Sequence, residues 1–177
     1  MTTATGSIPL LSRAIDQAGD VLAAVRQEQF SQPTPCADWD VGTLVGHLTA
    51  TPGNFLAAAR GVDVDWSNAP VPDAPGWAEE FRERGDDLLH HWHEVGEDGA
   101  NLPIPMQVAE LAVHAWDLAR AAGYPRPLDE GVAQCGLDFM EGSLTDELRG
   151  EAFGERVEIS ASASYVDRLA AFAGRQP

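Results

Sequence analysis

Proline and glycine cut this chain into five stretches whose apolar residues recur every three to four positions, and that pattern confines it to an all-α architecture. The first stretch covers residues 8–30, where Leu10, Leu11, Ile15, Val21, Leu22 and Val25 supply one apolar face. The prolines of SQPTPCADW forbid its continuation. Asp40 is placed to cap a second helix over 41–60, closed by Gly61. Residues 62–76, rich in Pro, Asp and Asn, read as a loop. A third helix over 77–95 sets Trp77, Phe81, Leu88 and Trp92 on one side and its acids on the other.

The break GEDGANLPIP precedes a fourth helix over 106–122, closed by Gly123. Asp129 can cap a fifth that runs to about 148. Beyond Gly150, Phe153, Val157 and Ile159 alternate loosely, as in a short extended piece, and Tyr165, Leu169 and Phe172 suggest a last helical turn or two. Such segments pack as an antiparallel bundle of four main helices with an accessory helix and a short C-terminal tail, one domain over 1–177.

Charge narrows the partners. Eleven basic side chains stand against 28 acidic ones, a net charge of −17. A surface of that sign repels phosphate, so nucleic acid and anionic membrane are excluded as partners and a small-molecule substrate is expected. No Lys or Arg precedes Arg13, so the N-terminal residues lack the basic flank of a secretion signal, and a cytoplasmic protein is expected. The two cysteines, Cys36 and Cys135, form no CxxC pair and read as reduced thiols. There is no GxSxG elbow, no glycine-rich phosphate loop and no HExxH.

The chemistry lies on the second and fourth helices. In PMQVAELAVHAWDLARAAG, Glu110 and His114 stand at i and i+4, about 40° apart around the axis, so carboxylate and imidazole project together. His114 falls between Leu111 and Leu118 on an apolar face, where an imidazole needs a partner. His47 shares a face with Leu44 and Leu48 and is likewise directed at the core. Each histidine alone reads as a satisfied core residue; the three together make a candidate metal site. Asp117 has two readings: it takes the second imidazole N–H of His114, or it pairs with Arg120 at the surface. The cluster HHWHE offers a rival set in His90, His93 and Glu94, read mainly as a solvated helix end. Trp39 and Trp116 read as packing residues.

Three segments, PTPCADWDVGTLVGHL, AELAVHAWDLARAAG and VDRLAAFAGRQP, resemble in that order the actinobacterial metal-binding branch of the DinB/mycothiol-dependent maleylpyruvate isomerase-type superfamily. The resemblance implies a DinB-like four-helix bundle with a divalent metal at one end of its core. The histidine of its GHL motif corresponds to His47, and the pair of its E-x-x-x-H-x-W-D motif to Glu110 and His114. Many relatives carry a third histidine where this chain has Glu110; the carboxylate form is similar to the isomerase branch, whose members use mycothiol.

The resemblance further implies a metal-dependent thiol transferase or isomerase of detoxification or secondary metabolism, with zinc the expected ion and nickel an alternative. A non-catalytic metal-binding stress or sensor protein and a metal-assisted hydrolase are the competing readings. On this reading no room is expected for the isomerase's additional C-terminal domain, and maleylpyruvate is not expected as the substrate. The metal is expected toward the end of the bundle where the fourth helix begins; Trp66 and Met106 read mainly as loop packing and core filler, and otherwise as lining of the acceptor side.

Overall fold

The computed structural model describes residues 6–36, 39–67, 69–149 and 153–177. Among the described residues six α-helices follow in order: α1 (Ser7–Ala24), α2 (Val41–Ala59), α3 (Trp77–Val95), α4 (Ile104–Ala122), α5 (Glu130–Ser143) and α6 (Tyr165–Phe172). No strand occurs among the described residues; an isolated antiparallel bridge joins Pro33 and Asp40. The protein is thus all-α, a helical bundle of the DinB-like kind. α1 packs on α3 and α4, and α2 packs on the same two helices, closing the four-helix core, while α5 covers α4 and α6 covers α5.

Local chemistry explains the boundaries. Asp40 caps α2, its carboxylate accepting the Thr43 N–H at 2.8 Å, and Asp129 caps α5 by accepting from Gly131 and Val132. Gly123, at φ +69°, closes α4 in the left-handed conformation. The core holds Leu11, Leu22, Leu44, Leu48, Phe81, Leu88, Trp92, Leu111 and Leu118, all shut off from solvent. Its aromatic N–H groups are satisfied: the Trp77 indole donates to the Leu22 carbonyl and the Trp92 indole to Gln107.

Several expectations need correction. The first helix stops at Ala24, not near residue 30, because Val25 and Arg26 turn extended. A short 3-10 turn, Gln27–Gln29, follows, with Gln29 accepting the Arg26 N–H and donating to the Ala122 carbonyl. α4 begins at Ile104, two residues early, since Pro105 needs no N–H partner in a first turn. α5 ends at Ser143, where Leu144 leaves helical geometry, and a separate 3-10 turn spans Asp146–Leu148. The piece around Val157 joins no strand; its N–H bonds to the Ala171 carbonyl, so it serves as cover for α6.

α2 and α4 run antiparallel. The Asn101 amide, before α4, donates to the Ala59 carbonyl at the end of α2, and Gln29, before α2, donates to Ala122 at the end of α4. The loop after α2 folds back along its flank. A Cβ at Gly46 would sit 2.4 Å from the Pro70 carbonyl oxygen, so only glycine admits that approach beside His47.

Candidate metal centre

Antiparallel packing sets one turn of α2 against the middle of α4. His47 Nε2 donates to Glu110 Oε1 at 2.8 Å, and His114 Nε2 lies 3.3 Å from the same oxygen. The imidazole ring centroids are 4.8 Å apart, edge to face. Their donor atoms all lie within 4.8 Å of one another. The three sequence-predicted residues are therefore brought together. Their position differs from expectation: Glu110 and His114 are the seventh and eleventh of nineteen residues in α4, so the cluster lies near mid-helix and not where α4 begins.

The rival cluster is dispersed. His90 lies 3.4 Å from Glu94 with side chains 75% and 66% exposed, and His93 is also exposed. Among the described residues it forms no group of three converging ligands. Solvent competes for every donor there.

Around the trio the environment is built in layers. Trp39, on the turn before α2, packs its ring against His47 at 4.7 Å and stacks over His114 at 5.6 Å. Asp117, fully buried, meets His114 Nδ1 at 3.2 Å. Of its two sequence readings the buried one holds: Asp117 faces His114, while Arg120 lies over the Trp116 ring. Arg175 from the C-terminal tail in turn donates to both oxygens of Asp117. Cys36, buried, lies within 4.8 Å of His114 and Asp117 through its sulfur. That second cluster is no open cage, because Asp117 is already committed to Arg175 and His114.

Charge follows from this packing. Burial alone pushes Glu110 upward, but the His114 and His47 imidazoles overcome it and hold the carboxyl far below the usual carboxylate range. For His114, burial favours the neutral ring; the charge of Glu110 and hydrogen bonds to Asp117 and Cys36 outweigh it and raise its pKa well above the ordinary value. Cys135, by contrast, is pushed up by burial and by Asp138, which disfavours its thiolate.

The donors fit a divalent ion. Two imidazoles and a carboxylate match the two-histidine, one-glutamate set of catalytic zinc sites, whose ligands at 2.0–2.2 Å from the ion stand about 3.3 Å apart in a tetrahedron. The 3.3 Å between His114 Nε2 and Glu110 Oε1 matches that spacing, while the 2.8 Å between His47 Nε2 and the same oxygen is a hydrogen-bond distance that an ion would widen. Asp117 holds the Nδ1–H of His114 and so leaves Nε2 as the donor, the carboxylate–histidine pairing common behind metal ligands.

Sequence reasoning left Cys36 unplaced, read Trp39 as packing and did not single out Arg175. All three lie on irregular segments, where periodicity carries no signal.

Beside Glu110 an apolar cavity of about 270 Å³ opens between α4 and α5, walled by Met106, Val113, Phe139, Met140 and Phe153. Met106 lines it, the second of its two sequence readings; Trp66 packs on Phe55, as its main reading had it, and is not among the described lining residues.

Comparison with known proteins agrees with this architecture. Two Mycobacterium tuberculosis proteins from different strains, both described as uncharacterized, are 26% identical over 94% of this chain and 97% of their own length. No solved structure gives a significant match. The profile of the mycothiol maleylpyruvate isomerase N-terminal domain matches residues 11–119, which include all three candidate ligands. With more than half of its length matched, the chain belongs to the mycothiol maleylpyruvate isomerase N-terminal domain family.

Proposed function

We propose that the protein holds one divalent metal ion through His47, Glu110 and His114 and uses it to activate a small-molecule thiol of the mycothiol kind, for transfer to or isomerisation of a second substrate. The observation that carries this reading is the convergence of three donor atoms from two helices, with Asp117 fixing the orientation of one of them. A divalent ion on three protein donors keeps a coordination position open and lowers the pKa of a thiol that reaches it, so the nucleophile is available at neutral pH. Zinc suits the donor set best, and nickel suits the same nitrogens and oxygen.

The chain's own residues supply orientation and shelter. Glu110 contributes the negative charge that offsets the cation, and Asp117 holds His114 in register. Trp39 covers the two imidazoles from the side of the α2 turn and limits water there. The family's name ties it to mycothiol and maleylpyruvate; the thiol is carried over here, and maleylpyruvate is not.

The test is incubation of zinc-loaded protein with mycothiol and a panel of electrophiles, followed by mass spectrometry. Thioether or isomerised products formed faster than with thiol alone, and lost in His114→Ala, are expected. Hydrolysed products without thiol incorporation favour a metal-assisted hydrolase. A fully loaded protein that turns nothing over favours a metal-binding role without catalysis.

A further inference from the structure

The cavity beside the candidate metal centre has a composition that speaks to what enters it. Its walls come from α4, from α5 and from Phe153 of the tail, and they are almost wholly apolar. Glu110 is the one ionisable side chain among the described lining residues, and Ser143, exposed at the last residue of α5, is the one hydroxyl. No arginine or histidine side chain is among its described lining residues. In the metal-free protein a carboxylate entering such a space would lose its hydration and gain no cation from the described lining residues in return.

Volume sets the size. An apolar cavity of about 150 Å³ accommodates benzene, so 270 Å³ suits a fused bicyclic ring or an aliphatic molecule of similar bulk. We propose that this cavity is the acceptor pocket of the site and takes an uncharged, largely apolar molecule of about naphthalene size, excluding the dicarboxylates. The role as acceptor pocket rests on the thiol-activating reading above; selectivity for neutral apolar ligands rests on the cavity alone.

Two isosteric probes separate charge from shape: 2-naphthamide, neutral, and 2-naphthoate, anionic. Binding is read from intrinsic naphthalene fluorescence on the full chain, both zinc-loaded and stripped with a chelator. On the stripped protein, 2-naphthamide should bind at least about tenfold more tightly than 2-naphthoate. Ser143→Trp, which places a large ring at the rim, should weaken naphthamide binding by about tenfold or more. Ser143→Arg adds the missing cation and should shift the preference toward naphthoate by a similar factor.

Equal or tighter binding of naphthoate by the unmodified stripped protein overturns the proposal. So does naphthamide binding that neither Ser143 variant alters while circular dichroism shows both folded. Metal content measured on the same samples keeps the two readings apart. Naphthamide selectivity in a protein that takes up no zinc leaves the pocket standing and removes the metal. Zinc uptake with no naphthamide preference does the reverse.

Discussion

Arg175 grips Asp117 through two hydrogen bonds, Nε to Oδ1 at 3.0 Å and Nη2 to Oδ2 at 2.9 Å, with both side chains sealed from solvent. The pair lies 58 residues apart in sequence and joins the C-terminal tail to the second half of α4. Asp117 also faces His114, so the tail is coupled to a candidate metal ligand through one carboxylate. Burial works against the carboxylate, but His114 and Arg175 together hold Asp117 below its ordinary range, ionised at neutral pH.

Arg175→Met leaves that carboxylate without its cation. Stability should fall by about 3–5 kcal/mol, as for other broken buried pairs, and zinc affinity by about 10- to 100-fold through disturbed orientation of His114. Replacing both partners, with Asp117→Leu and Arg175→Met, should restore much of the stability but not the affinity. Urea melts and competition with a chromophoric chelator give the two readouts. Recovery of both together in the double variant would mean that Asp117 does not orient His114.

The helices were largely legible in the sequence because Pro and Gly mark their ends and their apolar faces keep one period; α3 falls at the expected 77–95. His47 and His114 were singled out because each shares an apolar face, and Glu110 because it stands one turn before His114; the fold brings the three together. What escaped was carried by irregular chain. Val25 continues the apolar period of α1 in extended geometry, so periodicity runs past the true helix end. Cys36 and Arg175 reach the site from a turn and a tail, where nothing local signals a contact made across many residues.

Gly46 tests the close approach of the loop to α2. Gly46→Ala puts a methyl group 2.4 Å from a backbone oxygen, which must shift. Overpacking of this kind costs about 1–3 kcal/mol. Chemical denaturation reads it, and a variant as stable as the parent would show that the loop does not rest there.

Acid stability should report on Asp129. Burial raises its carboxyl, but Arg13 and the Val132 and Gly131 N–H groups lower it further, so it titrates below the ordinary carboxylate value. A depressed folded pKa contributes stability that is present above the unfolded pKa, near 4, and is lost as pH falls through the folded one. Asp129→Ala should therefore cost about 1 kcal/mol at pH 7, with the deficit shrinking below about pH 4. A deficit constant from pH 7 to pH 2 would contradict the assignment.

The three histidines near the end of α3 should be dispensable. Substituting His90, His91 and His93 together by Gln should leave zinc content at the parent level, since their side chains do not converge on a shared ligand group. Loss of zinc in that triple variant would move the site to the end of α3.

The central claim is that one cation is shared by α2 and α4, and elemental analysis of the purified, zinc-equilibrated protein tests it most directly. The account predicts about one zinc per chain in the parent and a loss of at least about tenfold in affinity for each of His47→Ala, Glu110→Ala and His114→Ala. Substoichiometric metal in the parent, or equal zinc content in the parent and all three variants, would contradict it.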